Sequence, residues 1–368
     1  MQKIITITVT NDLLTDRRIF KTAEYLANKG FNIKIFGRKL EKDYPPFARH
    51  PAIQVIRFRL PFNRGKTFYL YYNFILFWVL LFTRKDIMLA VDMDTVLPNF
   101  IVAKLLRKRL VFDSHEFFSE LPELQHRPGT KKIWQFLEKL ILPRLKHCYT
   151  VSGAIAAEYQ KLYGISCQVI RNVPQIPKNS NLNPPVFPLP SNRKILIYQG
   201  VLNVGRNIEV MIEAMRYLEG FVLVIAGDGD VSGQLQELAD TLKLTGQKVF
   251  FTGRIPHNQL YGLTRQAYIG LSLEQDLGKN YRYALPNKLF DYIMAQVPQI
   301  ITPLPEMVQI VSQYGTGKIL HTVSARNLAR IINDISETEY HRMRQNCRLA
   351  AQELNWENES KKLDEFFQ

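Results

Sequence analysis

The chain has 368 residues, 46% of them hydrophobic and 22% charged, which suits about two globular domains and excludes a wholly disordered or collagen-like polymer. Its three cysteines, Cys148, Cys167 and Cys347, are far apart and lack metal-ligand spacing, so the expectation is a reduced protein with no disulfide framework. The 48 Lys and Arg against 33 Asp and Glu give a formal charge of +15, and the excess is lopsided: residues 1–175 hold 28 basic and 14 acidic residues, residues 176–368 hold 20 and 19.

The opening run MQKIITITVT alternates as a strand does and carries no signal-peptide cleavage pattern, which points to a cytoplasmic protein. The strand Lys3–Thr10 is followed by a helix over Arg17–Asn28, a stop at Gly30 and a second strand over Asn32–Gly37. A strand at Val55–Leu60 precedes the apolar run Phe68–Phe82. That run has 15 residues, Asn73 among them, where a spanning helix needs about 20. Arg57, Arg59, Arg64 and Lys66 precede it, and Arg84 and Lys85 follow. This is the pattern of a helix lying in a membrane interface against anionic headgroups; a helix buried against its own sheet is the alternative. Next come a strand at Ile87–Val91, a helix at Asp94–Leu106 and a strand at Leu110–Asp113. An amphipathic helix follows at Lys131–Leu140, with Ile133, Phe136, Leu137 and Leu140 on one face. Short strands at Cys148–Ser152 and Gln168–Arg171 end the first half.

Residues 174–193, PQIPKNSNLNPPVFPLPSNR, hold six prolines and form a stiff polar connection. The strand and helix rhythm then restarts, with strands at Lys194–Gln199, Val222–Ala226, Val249–Thr252, Ile269–Leu273 and Gln299–Thr302. The tail Glu337–Phe367 reads as helix. The alternation implies an α/β architecture of two doubly wound parallel sheets. The domains fall at 1–174 and 194–336, joined by the linker 175–193, and the tail 337–368 packs back toward the first domain. In such sheets ligands bind beyond the carboxyl ends of the strands, and two of them facing each other would enclose a cleft.

The strongest local signal is Asn280-Tyr-Arg-Tyr-Ala-Leu-Pro-Asn-Lys-Leu-Phe-Asp291. Pro286 suits the first turn of a helix, and the unpartnered amides behind it make an anion site. Lys288 adds charge, and Asp291, three residues on, shares its face. Phosphate at a helix start with a carboxylate one turn in is a nucleotide-binding layout. An ordinary Lys and Asp ion pair on one helix accounts for the spacing equally well.

At this point the chain resembles the family 4 glycosyltransferases, which have the GT-B fold. The resemblance runs through Thr10-Asn-Asp-Leu-Leu-Thr-Asp-Arg-Arg-Ile19, as in one bacterial branch, Val91-Asp-Met-Asp-Thr95, Phe112-Asp-Ser-His-Glu-Phe117, Glu120-Leu-Pro-Glu123 and Arg171-Asn-Val-Pro174. It continues through Tyr198-Gln-Gly-Val-Leu-Asn-Val-Gly-Arg206, Ala226-Gly-Asp-Gly229 and Pro286-Asn-Lys-Leu-Phe-Asp-Tyr292. Their order and spacing together are specific. The resemblance implies two Rossmann-like domains facing a cleft, an acceptor-side domain first and a nucleotide-sugar-binding domain second. It also implies transfer of a sugar from a nucleotide sugar, usually with retention.

The resemblance assigns roles residue by residue. Arg206 and Lys288 meet the charge on the departing diphosphate, which lets such enzymes dispense with a metal. Asp291 falls where a glutamate usually contacts the donor ribose. The family's other glutamate falls on Tyr283, and an arginine it commonly carries falls on Val201; Asn280 or Tyr281, and Asn203, are the substitutes available. Gly227 belongs to a close turn beside the nucleotide, and Asn172 lines the donor side. His115 matches a histidine near the reacting carbon, where a neutral imidazole could bond a sugar hydroxyl or shuttle a proton, with Glu116 as its rival. Asn11, Asp12 and Asp16 sit on the acceptor side, although Asp16 is equally a helix N-cap.

Asp92-Met-Asp94 and Asp228-Gly-Asp230 imitate the metal signature of another glycosyltransferase fold. Capping of the following helix explains Asp94, and close turns explain the second pair, so no tightly bound metal is expected. The function implied is a glycosyltransferase acting on a glycan or lipid-linked glycan in cell-envelope or exopolysaccharide assembly, peripheral on the inner face of the membrane. A catalytically inactive relative docked on a membrane or a partner transferase is the alternative, motivated by Tyr283 and Val201. A nucleotide-sugar epimerase is a further rival. Nucleic-acid binding has only the net charge in its favour and no recognised motif.

Overall fold

A computed structural model describes residues 2–13, 16–40, 50–121, 124, 127–177, 190 and 192–368, with the backbone alone at His257 and Asn258. Most of the proline-rich linker lies outside these residues, as do Leu14, Thr15, Pro122 and Glu123 of the motifs above. The chain divides into two compact units, Met1–Asn172 with Ser360–Gln368, and Val173–Glu359.

The first unit is a seven-stranded sheet of order β3-β2-β1-β4-β5-β6-β7. Its strands are β1 (Ile4–Thr8), β2 (Asn32–Lys39), β3 (Ile53–Arg59), β4 (Ile87–Val91), β5 (Arg109–Ser114), β6 (His147–Thr150) and β7 (Gln168–Val169). All pairs are parallel, with Ile5 opposite Ile33 on one side and Ile87 on the other. The helices are α1 (Arg17–Asn28), α2 (Gly65–Phe82), α3 (Met93–Leu105), α4 (Pro128–Ile141) and α5 (Gly153–Tyr163). Central strands such as Ile87–Val91 are apolar throughout and wholly buried, as a parallel sheet covered on both faces requires.

The second unit is a six-stranded parallel sheet of order β10-β9-β8-β11-β12-β13. Its strands are β8 (Lys194–Gln199), β9 (Phe221–Ala226), β10 (Val249–Gly253), β11 (Ile269–Ser272), β12 (Gln299–Ile301) and β13 (Gly317–Ile319). The edge strand β13, three partly exposed residues, went unpredicted because it is too short and too polar to show a pattern. The helices are α6 (Ile208–Ala214), α7 (Ser232–Thr241), α8 (His257–Thr264), α9 (Lys279–Arg282), α10 (Asn287–Met294), α11 (Pro305–Tyr314), α12 (Ala325–Asn333), α13 (Glu337–Glu353) and α14 (Trp356–Glu359). The last helix, α15 (Asp364–Phe367), belongs to the first unit, where Asp364 takes hydrogen bonds from Tyr25 and Lys29 on α1. In each sheet the strand order reverses once, between β1 and β4 and between β8 and β11. The loops leaving those strands therefore diverge and leave a crevice.

Three features correct or extend the sequence reading. Cys148 and Cys167 form a disulfide, against the expectation of none, while Cys347 is free and buried. Their separation of 19 residues hid the fact that β6 and β7 are neighbours. Ile133, Phe136 and Leu140 face outward on α4, not into the core. The inner stripe is Trp134, Glu138 and Ile141, and Glu138 is kept there by Tyr163 Oη at 2.6 Å and the Ser119 amide at 3.2 Å. Helix α2 is buried along one side only. Phe68, Tyr72, Leu76 and Leu80 are buried at a spacing of four, and Leu70, Phe74, Trp78 and Phe82 are exposed. Its inner side braces the first crevice: Tyr72 donates to the Val9 carbonyl, and Asn73 to the Asp94 carbonyl at 2.9 Å.

In the second unit Tyr292 of α10 fixes the helix over its sheet. Its hydroxyl lies 3.2 Å from the Ile197 carbonyl of β8 and 3.1 Å from the Leu271 carbonyl of β11. Its ring fills the space at Gly270, where a Cβ would lie 2.5 Å from ring carbons. Gly270→Ala is expected to lower unfolding stability by about 1–3 kcal/mol through overpacking, read from the urea midpoint. An unshifted midpoint would show that the ring is not confined there.

Candidate functional site

The second unit brings several of the expected residues together at the reversal between β8 and β11. The loop after β8 begins at Gly200 and crosses the end of β9. Gly227 (φ +155°) has no room for a side chain, since a Cβ would lie 1.8 Å from the Gly200 carbonyl oxygen, and one at Gly229 would lie 2.4 Å from the Leu202 carbonyl oxygen. This is the close turn anticipated for the glycines. Asn203 accepts from the Asp230 amide at 3.3 Å, which ties the two loops. The loop is next clamped to the one leaving β11. Gln275 donates its backbone N–H to Gly205 and its side-chain amide to Asn207, and Asn207 donates to the Leu273 carbonyl at 2.7 Å.

Between those clamps lie Arg206 and Glu274. Glu274 is 1% exposed. Its Oε1 lies 3.5 Å from Arg206 Nη1 and 2.9 Å from Lys288 Nζ, and its Oε2 accepts from Ser272 Oγ at 2.7 Å. Burial alone would push its carboxyl up, but Lys288 and Arg206 hold it below the usual carboxylate range. Lys288 sits 4.0 Å from the centre of the Tyr198 ring and beside Gly200. Its ammonium and the Glu274 carboxylate form a buried ion pair. Arg206 lies over the Tyr281 ring at 5.1 Å, and Asn280, next to Tyr281 in α9, is buried.

One alternative from the sequence is not met here. Lys288 and Asp291 do not pair along the helix: Lys288 turns to Glu274, and Asp291 takes a hydrogen bond of 3.0 Å from Gln199 Nε2. Asn172 belongs to the first unit, where it accepts from Lys21 Nζ at 2.9 Å. Tyr283 ends α9, and Val201 is exposed. Glu274 was missed altogether. The available signal was a carboxylate two residues beyond an apolar strand at the point where the strand order reverses.

The first unit carries a second polar cluster at the reversal between β1 and β4. Asn11 bonds Asp16 at 2.6 Å, Asp16 caps α1 by accepting from the Ile19 amide, and Asp12 is half-buried in the same loop. Thr10 donates to Asp94 across the crevice. Asp94 does not cap α3. Its carboxyl is pushed up to about 7 by burial and by the neighbouring Asp92. Asp92 precedes α3 at φ +57°, and its carboxylate takes the His115 amide at 2.8 Å instead of a helix amide.

His115 follows β5, as expected, while Glu116 beside it is exposed. The imidazole Nε2 lies 2.9 Å from Asp113 Oδ2, and Nδ1 lies 3.7 Å from Asp92 Oδ2. Burial alone would favour the neutral ring, but the two carboxylates outweigh it and raise the value to about 9. A value of about 9 favours the charged, donating form of His115 at neutral pH, where the resemblance implied a neutral imidazole. Asp113 is fully buried and held down to about 2 against its burial by Arg18 and His115. Arg18 of α1 meets both of its oxygens, at 2.8 and 3.3 Å, and also donates to the Ile170 carbonyl.

Two family models match this chain: Glycosyltransferase Family 4 over residues 15–174, and Glycosyl transferases group 1 over residues 179–354. With its two parallel-sheet units, the chain belongs to the family 4 glycosyltransferases of GT-B fold. It is similar to sucrose-phosphate synthase from Thermosynechococcus elongatus at 17% identity and a TM-score of 0.80, over 100% of this chain and 98% of that one. It is similar to a glycosyltransferase from Rickettsia africae at 15% identity and a TM-score of 0.71, over 99% and 97%. The complex of Anabaena HepE with UDP and glucose matches at 14% identity and a TM-score of 0.69, over 99% of each chain. At such identities the likeness is one of fold. No curated protein matches the sequence.

The state of His115 is open to a direct test. Its folded value of about 9 lies above its ordinary 6.5, so this stabilisation is complete below pH 6.5 and is lost as pH rises through 9. Asp92→Asn keeps an oxygen for the His115 amide and suits the positive φ of residue 92, while removing one charge. The imidazole is expected to titrate below its wild-type value in histidine NMR, and the alkaline loss of stability to begin earlier. An unchanged titration would remove Asp92 from the account.

Proposed function

We propose that the second unit binds a nucleotide-sugar donor by its diphosphate, and that transfer proceeds with retention and without a tightly bound metal. The observation that carries this reading is the placement of Arg206 and Lys288 against one buried carboxylate at the point where the strand order reverses. In the transfer, the anomeric carbon exchanges its bond to a diphosphate oxygen for a bond to an acceptor oxygen, and the acceptor proton leaves. Negative charge gathers on the departing diphosphate. Cations already in position stabilise that charge more in the transition state than in the bound substrate. Asp291, on Gln199, is placed one turn into α10 for the ribose hydroxyls. Asn203, Gly227, Asn280 and Tyr281 complete the donor side. The UDP and glucose held by HepE support this class of donor, and retention follows the habit of the family.

The acceptor reading rests on the first unit. Its 28 basic residues against 14 acidic over residues 1–175 and the exposed apolar side of α2 support a glycan or lipid-linked glycan held at an anionic membrane. That suits envelope or exopolysaccharide assembly by a peripheral protein of the inner membrane face. The charged His115 is a hydrogen-bond donor for a sugar hydroxyl there.

Thermal unfolding in the presence of UDP-glucose and other nucleotide sugars tests the donor site. A donor at a hundred times its Kd should stabilise the fold by about 2.7 kcal/mol. Arg206→Ala and Lys288→Ala should each abolish the shift and lower kcat by about 10²–10³-fold. A shift retained in both variants would overturn the assignment. Turnover should also persist in excess chelator; complete loss restored by a divalent ion would end the metal-independent reading.

A further inference from the structure

A cavity of about 620 Å³ opens at the amino ends of β5 and β6 in the first unit, between the end of α3 and the 3₁₀ turn Leu142–Arg144 behind α4. It lies at the opposite edge of the sheet from Asp92 and His115, which follow the carboxyl ends of β4 and β5. Six cations line it: Lys104, Arg107, Lys108, Arg109, Arg144 and Lys146. Among the described residues the carboxylate paired with them is Asp86, 3.8 Å from Lys108. Arg109 is committed to the backbone oxygens of Phe366 and Gln368, at 3.1 and 2.8 Å. His147, also in the wall, is held below its ordinary value by burial and by Arg109 and Lys146. So concentrated a positive field calls for an anion of more than one charge.

The helices on either side show what carries that anion. On α3, Ile101 and Leu105 are exposed in one stripe with Lys104. On α4, Ile133, Phe136 and Leu140 are exposed at spacings of three and four, and the next position in the stripe is Arg144. Both apolar stripes thus run into the cavity's cations. Helix α3 packs against both α2 and α4, and the Tyr69 ring of α2 meets the Trp134 ring of α4 at 5.5 Å. The exposed residues of α2, including Leu70 at 77% and Phe82 at 79%, extend the same apolar character. A free phosphate would need no apolar border, and nucleic acid would meet isoleucine, phenylalanine and leucine where it needs polar groups.

We propose that this cavity seats the phosphate headgroup of an anionic phospholipid in a bilayer, while the stripes of α3 and α4 enter its acyl region. The inference rests on the membrane-bound acceptor reading above and adds to α2 a second, headgroup-selective contact remote from the polar cluster at the carboxyl edge.

Cosedimentation of the full chain with phosphatidylcholine vesicles, with and without phosphatidylglycerol, tests it. The variants are the cavity triple Lys104→Gln, Arg107→Gln, Lys146→Gln, the helix double Phe74→Ser, Trp78→Ser, and a control triple Arg265→Gln, Arg326→Gln, Arg330→Gln on the second unit. All eight positions are exposed, so unfolding midpoints should match the wild type and show that each variant folds. One basic residue near an anionic surface changes partitioning about fivefold. The cavity triple should therefore weaken binding to phosphatidylglycerol vesicles about a hundredfold by the same measure, and the control triple far less. Equal losses in the two triples, or loss in the helix double alone, would overturn the cavity and leave the membrane reading standing. Indifference of the wild type to phosphatidylglycerol would overturn both. Wild-type binding that inorganic phosphate or a single-stranded oligonucleotide displaces from the vesicles at low concentration would reassign the cavity to that ligand.

Discussion

One buried carboxylate organises the crevice of the second unit. Glu274 has almost no contact with water, and an ionised acid in such a place persists only where positive charge and hydrogen bonds surround it. Lys288 and Arg206 supply the charge, and Ser272 the hydrogen bond. The debt is mutual. The carboxylate fixes a lysine from α10 and an arginine from the loop after β8 on one spot, although 82 positions separate them in the chain (288 − 206). Removing Glu274 would leave the buried Lys288 without its counter-ion, which typically costs about 3–5 kcal/mol. The same network that keeps the fold intact thereby fixes cations where a diphosphate would need them.

The first unit repeats the device with the signs arranged differently. Asp113 ends β5 in full burial and is matched by the two-pronged contact of Arg18. Its remaining capacity goes to His115, whose backbone is held separately by Asp92. Acid, guanidinium and imidazolium form a chain in which each member sets the protonation of the next. The loops bearing these residues are held in turn by α2, through Tyr72 and Asn73. Helix α2 therefore serves the crevice with one side and leaves the other bare.

How much of this was legible in the sequence depended on distance along the chain. The central strands of both sheets, such as β4 and β9, announced themselves as apolar runs, whereas the edge strand β13, with only three residues, did not. Gly227, Arg206, Lys288 and His115 stood in motifs whose backbone requirements are local. Glu274 and Arg18 were invisible because their importance lies in partners brought close only by the sheet order. The Cys148–Cys167 bond was hidden for the same reason. The outward face of α4 misled in a different way. Periodicity shows which residues share a stripe but not which stripe faces the sheet, and there a buried Glu138 satisfied by Tyr163 and Ser119 took the inner place.

The contact between Gly200 and Gly227 has an evolutionary corollary. Any codon change at residue 227 adds at least a methyl group where a peptide oxygen already stands, 1.8 Å away. Neither strand can retreat without dragging the whole loop and its arginine along. This position is consequently closed to gradual drift: descendants of this chain can vary the side chains around the crevice one at a time, but they inherit the paired loops after β8 and β9 as a single indivisible piece.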